Sequence, residues 1–413
     1  MNHYRIGVPP KWWCPKLSPW FVRFSASPRA LLMRRQQRVS SVTVHNGDVV
    51  KQAIAANQGI MIAPNHPSHA DPHVIYNAAD QIQTPLFLMA TWHVFHGKPL
   101  TLQWALQKIG TYSVDRDGAD MKAFKESVRI LQNEKAPLVI FPEGEIYHCN
   151  DRVTPFLVGP AMIAAAATRK CDREIVIIPC AIKYQYLTDP KEQLLGAMEE
   201  LERQVFWRPR TNQSLTERIY SFSEAVLSLK ELEFTGRIGT GSLPERVETL
   251  SDFILSMHET NRGLEPSTKS IPERIKAIKS RCVKELCDEE NPVHSDRQQV
   301  LYAELDDTFF VGQLFSYPGD YVAESPTIER VAETIDKFEE DALMKATATI
   351  RAQRECHIYF DEPIKIPAKR KGGKSPGEIT EQIEHSVQKM LNEHAAQHPA
   401  KKIADSRVES LPR

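Results

Sequence analysis

Short apolar runs alternate with amphipathic stretches between residues 48 and 190. Four of these runs predict buried strands, at 59–63, 86–89, 138–141 and 175–182. Between the second and third run, apolar residues recur at helical spacing, at Met121, Phe124, Val128 and Leu131. Strands that alternate with amphipathic helices predict the α/β class, here with a mixed β-sheet flanked by helices.

Residues 187–353 change this pattern to long charged helical stretches separated by Gly and Pro, at 192–205, 215–231, 245–258 and 271–287. We therefore expect an all-helical insertion there, and no internal repeat is apparent in it. The β pattern returns at 356–360 and is followed by a helical pattern at 379–391. The predicted organisation is a core over 48–186, the insertion, the last strand and helix of the core over 354–393, and a flexible tail over 394–413.

Residues 1–47 contain no Asp or Glu and combine basic with aromatic residues. The basic ones are Arg5, Lys11, Lys16, Arg23, Arg29, Arg34, Arg35 and Arg38, and the aromatic ones include Trp12, Trp13, Trp20, Phe21 and Phe24. Aromatic rings settle at lipid headgroups while Lys and Arg meet anionic lipid, so we expect residues 1–40 to contact membrane lipids. The alternative is a basic arm packed on its own domain.

Net charge, cysteine pattern and the length of apolar stretches limit the possible partners and the cellular compartment. The 413 residues carry a net charge of −1, which gives no global electrostatic case for nucleic acid. Seven scattered cysteines without a C-x-x-C pair indicate free thiols in a reducing compartment. No apolar stretch approaches the roughly 20 residues of a membrane-spanning helix. We expect a cytoplasmic protein, peripheral on the inner face of the membrane, and no feature predicts its oligomeric state.

The string from Met61 to Pro72, MIAPNHPSHADP, carries the first candidate chemistry. Pro67 suits a first helical position, which would leave His66 at a strand-to-helix corner with Asp71 one and a half turns along. A carboxylate on one ring nitrogen fixes the tautomer and leaves the other nitrogen to take a proton, so the pair would be a general base and its orienting group. The alternative is a helix-entry His66 and a capping Asp71. No metal site is predicted at His66, His69 and His73.

Three more blocks follow in order: Gly110-x5-Arg116, Phe141-Pro-Glu143-Gly144 and Ile178-Pro179. Together with Asn65-His66-x4-Asp71, they resemble the glycerolipid acyltransferase family, whose members include lysophosphatidate (1-acylglycerol-3-phosphate) acyltransferases. The resemblance covers 48–186 and 354–393, where His357 to Ile364 is similar to a late family strand with Asp361 in place of Gly.

The resemblance implies the mixed sheet of that family and a role for each matching residue. His66 would deprotonate the acceptor hydroxyl for attack on a thioester, with Asp71 orienting it and no acyl-enzyme. Arg116 would hold the acceptor phosphate, unless it is only a surface residue. Glu143 and Gly144 would shape the acceptor pocket, unless Glu143 caps a turn. The implied reaction moves a fatty acyl group from acyl-CoA or acyl-carrier protein, as co-substrate, to a lysolipid, with no other cofactor and no metal.

The third block departs from the family, because Glu145 and Ile146 stand where Thr or Ser and then Arg are usual. His148 or Arg152 would be the substitutes for the missing Arg. Lysophosphatidate, in phospholipid biosynthesis, is the first acceptor that the resemblance implies. Another lysophospholipid or glycerol 3-phosphate is the alternative, and a non-catalytic acyltransferase-like scaffold is the third reading.

Overall fold

The computed structural model describes residues 10–116, 118, 120–169, 171–264, 270–288, 291–317, 319–367 and 374–402. Two compact units divide the chain. We call residues 10–188 with 352–400 the core unit, and residues 189–351 the helical unit. Residues 1–9 of the predicted membrane segment and 403–413 of the predicted tail lie outside the described residues.

The described part of the core unit contains an eight-stranded sheet in the order β1-β7-β6-β2-β5-β3-β4, with β8 paired to β6. Strand β6 is antiparallel to β7 and β8, while its other neighbour β2 and the strands beyond are parallel. This mixed sheet confirms the predicted α/β class. The strands are β1 (Val39–His45), β2 (Gly59–Pro64), β3 (Phe87–Thr91), β4 (Thr111–Val114), β5 (Leu138–Val139), β6 (Ile175–Tyr186), β7 (Arg354–Phe360) and β8 (Ile364–Ile366).

The helices of the chain surround this sheet or form the helical unit. In the core unit they are α1 (Pro19–Phe24), α2 (Ala26–Gln36), α3 (Asp48–Ala55), α4 (Asp71–Gln81), α5 (Leu100–Lys108), α6 (Met121–Asn133), α7 (Gly159–Ala167) and α15 (Pro376–Gln397). In the helical unit they are α8 (Lys191–Phe206), α9 (Leu215–Thr235), α10 (Leu243–Asn261), α11 (Ile271–Leu286), α12 (Ser295–Phe315), α13 (Tyr321–Glu324) and α14 (Ile328–Asp341).

Both faces of the sheet are covered, which explains why its central strands are continuous apolar runs. Ile60 and Ile62 of β2 face one core with helices α2, α3 and α4. Met61 and Ala63 face the other core with helices α6, α7 and α15. Strands β2, β5, β3 and β4 are parallel, so their carboxyl ends lie at one edge of the sheet. The first three candidate blocks therefore meet at that edge.

Several elements differ from the sequence-based expectation. Strand β1 lies inside the segment 1–47 that is expected at the membrane interface. The sequence pattern did not indicate this strand, because the aromatic and basic residues before it dominate the segment. Strand β5 is shorter than the apolar run that predicts it. Helix α15 runs to Gln397 and so continues into the predicted tail.

The helical unit contains an internal repeat, contrary to the expectation stated above. A Ser-(Leu/Ile)-x-Glu-Arg motif recurs every 28 residues, at Ser214, Ser242 and Ser270, and each Ser and Glu form a capping box that starts a helix. Each motif Arg makes a bidentate ion pair with a Glu near the end of the preceding helix. The pairs are Arg218–Glu202, Arg246–Glu231 and Arg274–Glu259. Successive helices are therefore joined in the same way three times.

None of the described helices is both long and apolar enough to cross a lipid bilayer.

Candidate active site

The loop 65–70 joins strand β2 to helix α4 and carries His66. Helix α4 begins at Asp71, with Ala70 as its N-cap, so Pro67 lies in the loop and not at the first helical position expected for it. An acidic residue in the first helical turn interacts favourably with the helix dipole. Because the helix begins only at Asp71, the side chains of His66 and Asp71 meet through a bend of the loop, not along a helix.

The imidazole of His66 contacts the carboxylate of Asp71. His66 Nδ1 lies 2.6 Å from Asp71 Oδ2. The Asp71 side chain is fully buried, whereas the His66 side chain remains 15% exposed. A carboxylate that engages Nδ1 orients the ring and leaves Nε2 for proton exchange with a bound molecule. This is the geometry of a general base with its orienting group.

Two further groups donate hydrogen bonds to Asp71. The backbone N–H of Ser68 donates to Oδ2 at 3.0 Å, and the Tyr184 hydroxyl donates to Oδ1 at 2.7 Å. Burial raises the pKa of Tyr184 well above its ordinary value, which keeps the phenol as a neutral donor. Tyr184 was not among the predicted site residues, and its place at the end of an apolar run gave no local signal of this role.

Two asparagines hold the stretch of β6 that carries Tyr184. Strand β2 ends opposite Cys180, so β6 continues without that neighbour. The Asn65 side chain replaces it, since it donates to the Ile182 carbonyl at 3.0 Å and accepts from the Ile182 N–H at 2.7 Å. Asn150 makes the same pair of bonds with the backbone of Tyr184, at 2.7 and 2.8 Å. These buried side chains imitate a strand ladder and fix the position of the tyrosine.

The third block packs around His66. The Phe141 ring stacks on the imidazole with centroids 4.0 Å apart, and Glu143 Oε1 accepts a 2.9 Å hydrogen bond from the His66 backbone N–H. Burial raises the pKa of Glu143 to about 8, although hydrogen bonds from His66 and Thr154 oppose that rise. Glu143 thus holds the loop that carries His66, whereas the resemblance implied a place in the acceptor pocket.

Arg116 reaches the third block from the end of strand β4. Its guanidinium donates to the Gly144 carbonyl and forms an ion pair with Glu145, with 3.1 Å between Nη1 and Oε2. Both side chains are partly exposed, at 30% and 51%. The carboxylate that stands beside the missing family Arg therefore partly neutralises the predicted phosphate-binding residue.

Gly144 adopts a backbone conformation that favours glycine, with φ of +78°. A Cβ atom at this position would lie 2.7 Å from Cδ1 of Leu157, closer than real contacts allow. The residue is therefore required where the third block turns beneath Arg116.

The two proposed substitutes for the missing Arg lie in the segment after this turn. His148 is buried, has a φ of 51°, and its ring centroid lies 5.7 Å from that of His69. Arg152 is partly exposed. In the same segment, Asp151 forms an ion pair with the buried Lys183 of strand β6, which ties the segment to the sheet.

Part of the core unit matches a protein family. No curated protein matches the chain. The family model described as Acyltransferase matches residues 41–183, a range that contains His66, Asp71, Arg116, Glu143 and Gly144. Residues 41–183 of the core unit thus match the acyltransferase family.

Proposed function

We propose that the protein transfers a fatty acyl group from acyl-CoA or acyl-carrier protein to the hydroxyl of a lysolipid, with 1-acylglycerol-3-phosphate as the first acceptor. The observation that carries this proposal is the 2.6 Å contact between His66 Nδ1 and the buried Asp71 carboxylate, within the residues that match the acyltransferase family. The partly exposed imidazole is the group of this pair that a substrate could reach.

In the proposed reaction, His66 Nε2 accepts the proton of the acceptor hydroxyl while the oxygen attacks the thioester carbonyl carbon. Asp71 stabilises the imidazolium that forms. The tetrahedral intermediate then collapses, the C–S bond breaks, and the proton passes from His66 to the thiolate that leaves. The products are an ester and a free thiol, and no covalent bond to the enzyme forms.

The Arg116–Glu145 ion pair favours a second acceptor. Arg116 alone would suit the two negative charges of a phosphate monoester, but Glu145 lies 3.1 Å from its guanidinium. Such a pair presents one positive and one negative group side by side. It is better matched to another lysophospholipid whose headgroup carries less negative charge, such as a zwitterionic phosphodiester.

The proposed attachment to a membrane rests on an exposed aromatic surface of the core unit. Trp20 and Phe24 of α1 are 73% and 68% exposed, and Leu100 and Trp104 of α5 are 80% and 49% exposed. The Phe21 and Trp104 rings are in edge contact at 5.0 Å, so α1 and α5 form one surface, which we call the aromatic surface. Arg23 lies in the last turn of α1. Exposed aromatic and basic residues together suit an anionic lipid surface.

An acceptor panel tests the reaction and its substrate together. Thiol release from acyl-CoA is measured with lysophosphatidate, lysophosphatidylethanolamine, lysophosphatidylcholine and glycerol 3-phosphate, for the wild type and for Glu145→Gln. We expect activity with a lysolipid, and removal of the negative charge in Glu145→Gln shifts kcat/KM toward lysophosphatidate. A ratio between acceptors that does not change in the variant contradicts the role of Glu145.

If no acceptor supports thiol release from acyl-CoA, the same panel is measured with acyl-carrier protein as the donor. Silence there as well contradicts the enzymatic proposal and favours the scaffold reading.

A further inference from the structure

Four histidines of the core unit gather on the face of the sheet that α15 covers, and we call them the histidine cluster. His45 ends strand β1, His357 lies in β7, and His394 and His398 are one turn apart at the end of α15. We propose that His357, His394 and His398 bind a divalent transition metal of the zinc class. This site is separate from His66 and independent of the proposed acyl transfer.

The two inner rings, those of His357 and His394, are each held through one nitrogen. His394 Nδ1 lies 2.7 Å from the Tyr359 hydroxyl, and His357 Nδ1 lies 3.1 Å from His45 Nε2. In both rings Nε2 is buried and has no hydrogen-bond partner within the described chain, and the Glu355 carboxylate lies 3.8 Å from Nε2 of His357. Metal-bound histidines show this division, since one nitrogen binds the metal and the other is held by an outer group. His394 is 1% exposed, so an unpartnered nitrogen there is costly without a ligand.

The three rings are spaced as ligands of one metal ion would be. The ring centroids lie 4.9 Å apart for His357 and His394, 5.6 Å for His357 and His398, and 4.7 Å for His394 and His398. Three imidazoles around one tetrahedral ion have centroids about 5 Å apart, given metal–nitrogen bonds of about 2.0 to 2.1 Å. The i, i+4 spacing of His394 and His398 is also that of paired metal ligands on one helix face.

The proposed metal site requires a change in the position of the His398 ring. The trio is not arranged as a closed set of ligand atoms among the described residues. His398 is exposed at the end of α15, and the proposed site requires its ring to turn toward the two buried nitrogens when the metal binds. The metal would thereby tie the end of α15 to strand β7.

The charges around the cluster are compatible with a cation. Glu355 Oε1 lies 3.8 Å from His357 Nε2 and supplies a carboxylate beside the site. Lys183 is the nearby positive group, and its charge is compensated by a buried ion pair with Asp151. Histidine binds a metal through a neutral imidazole nitrogen. Neutral imidazole favours Zn²⁺, Ni²⁺ and Cu²⁺ over Mg²⁺ or Ca²⁺.

The test is Zn²⁺ affinity of the full chain, measured by competition with a chromophoric chelator, for the wild type, His398→Ala and His385→Ala. His385 is an exposed histidine on the same helix but outside the cluster, so it is the matched control. We expect one Zn²⁺ per chain in the wild type and in His385→Ala. His398→Ala should bind at least about tenfold more weakly, because even loss of an outer partner costs about 10- to 100-fold.

A second readout uses Co²⁺, whose visible absorption in the wild type should be that of a tetrahedral ion and should be lost in His398→Ala. Far-UV circular dichroism checks that both variants are folded. Absence of stoichiometric binding by the wild type, or equal affinity in wild type and His398→Ala, overturns the proposal. Neither result depends on acyl transfer, so the two proposals fail separately.

Discussion

The Tyr184 hydroxyl donates a 2.7 Å hydrogen bond to Oδ1 of Asp71, the carboxylate whose other oxygen contacts His66. The two residues are 113 positions apart in the chain. Strand β6 therefore supplies a positioning residue for the pair formed by the loop after β2.

Replacement of that tyrosine should weaken catalysis without unfolding the domain. In Tyr184→Phe we expect kcat to fall about 10- to 100-fold, with KM little changed, because a hydrogen bond to a charged group contributes about 1.5 to 3 kcal/mol. Steady-state kinetics with the preferred acceptor measure the effect. Tyr112→Phe is the control, since it removes a buried hydroxyl bonded to Ser127 elsewhere in the same sheet. An equal fall in kcat in both variants would mean that the Tyr184 hydrogen bond stabilises the fold and does not position Asp71 for catalysis.

The raised pKa of Glu143 predicts a pH dependence of stability. The folded-state pKa of about 8 lies above the ordinary value of 4.5, so the folded chain holds a proton that the unfolded chain has lost. This contribution to stability is complete below 4.5 and is lost as the pH rises through 8. The slope is about 1.4 kcal/mol per pH unit at most.

Glu143→Gln should remove that slope, because glutamine does not titrate and still accepts from the His66 N–H. Urea unfolding from pH 5 to pH 9 measures it, with the exposed Glu381→Gln as control. A wild type and Glu143→Gln that change in parallel over this range would show that Glu143 is ionised in the folded protein.

The repeated ion pairs of the helical unit predict unequal costs for two glutamates of one helix. Glu202 pairs with the buried Arg218, whereas Glu199 pairs with Arg203 at the surface. Loss of one partner from a buried pair costs about 3 to 5 kcal/mol, and loss of a surface pair costs about 1 kcal/mol or less. Denaturant unfolding of Glu202→Ala and Glu199→Ala compares them. Similar free energies of unfolding would mean that the buried pairs do not stabilise the repeat.

The aromatic surface predicts vesicle binding that depends on α1. We expect Trp20→Ala with Phe24→Ala to weaken flotation with anionic liposomes at least tenfold, since burial of a large apolar side chain contributes about 1.5 to 3 kcal/mol. Salt should weaken binding of the wild type, because exposed charges are screened over about 8 to 10 Å. Trp207→Ala is the control, as Trp207 is 91% exposed but belongs to the helical unit. If liposome binding is lost in Trp207→Ala and kept in the variant with Trp20→Ala and Phe24→Ala, the membrane contact does not lie on α1.

The parts that sequence patterns predicted are those with a local signal. Strands β2 and β6 are continuous apolar runs because both faces of the sheet are buried. Strand β1, with the sequence VSSVTVH, lies at the edge and is half polar, and it was not predicted. The three-residue strand β8 is too short to show a period.

The same distinction holds for the site. His66 and Asp71 lie five positions apart, so their contact has a short-range pattern. The supports Tyr184 and Asn150 act through tertiary contacts that no local spacing encodes. The repeat in the helical unit does have a sequence signal, the motif at Ser214, Ser242 and Ser270, but its helical stretches differ in their other residues.

The central claim is that His66, oriented by Asp71, is the base for acyl transfer. The most direct measurement is thiol release from acyl-CoA with the preferred lysolipid, compared between wild type, His66→Ala and the His385→Ala control. A fall of at least about 100-fold in kcat for His66→Ala alone is expected, because general base catalysis contributes about 10²- to 10⁴-fold. Full activity of folded His66→Ala would contradict the account.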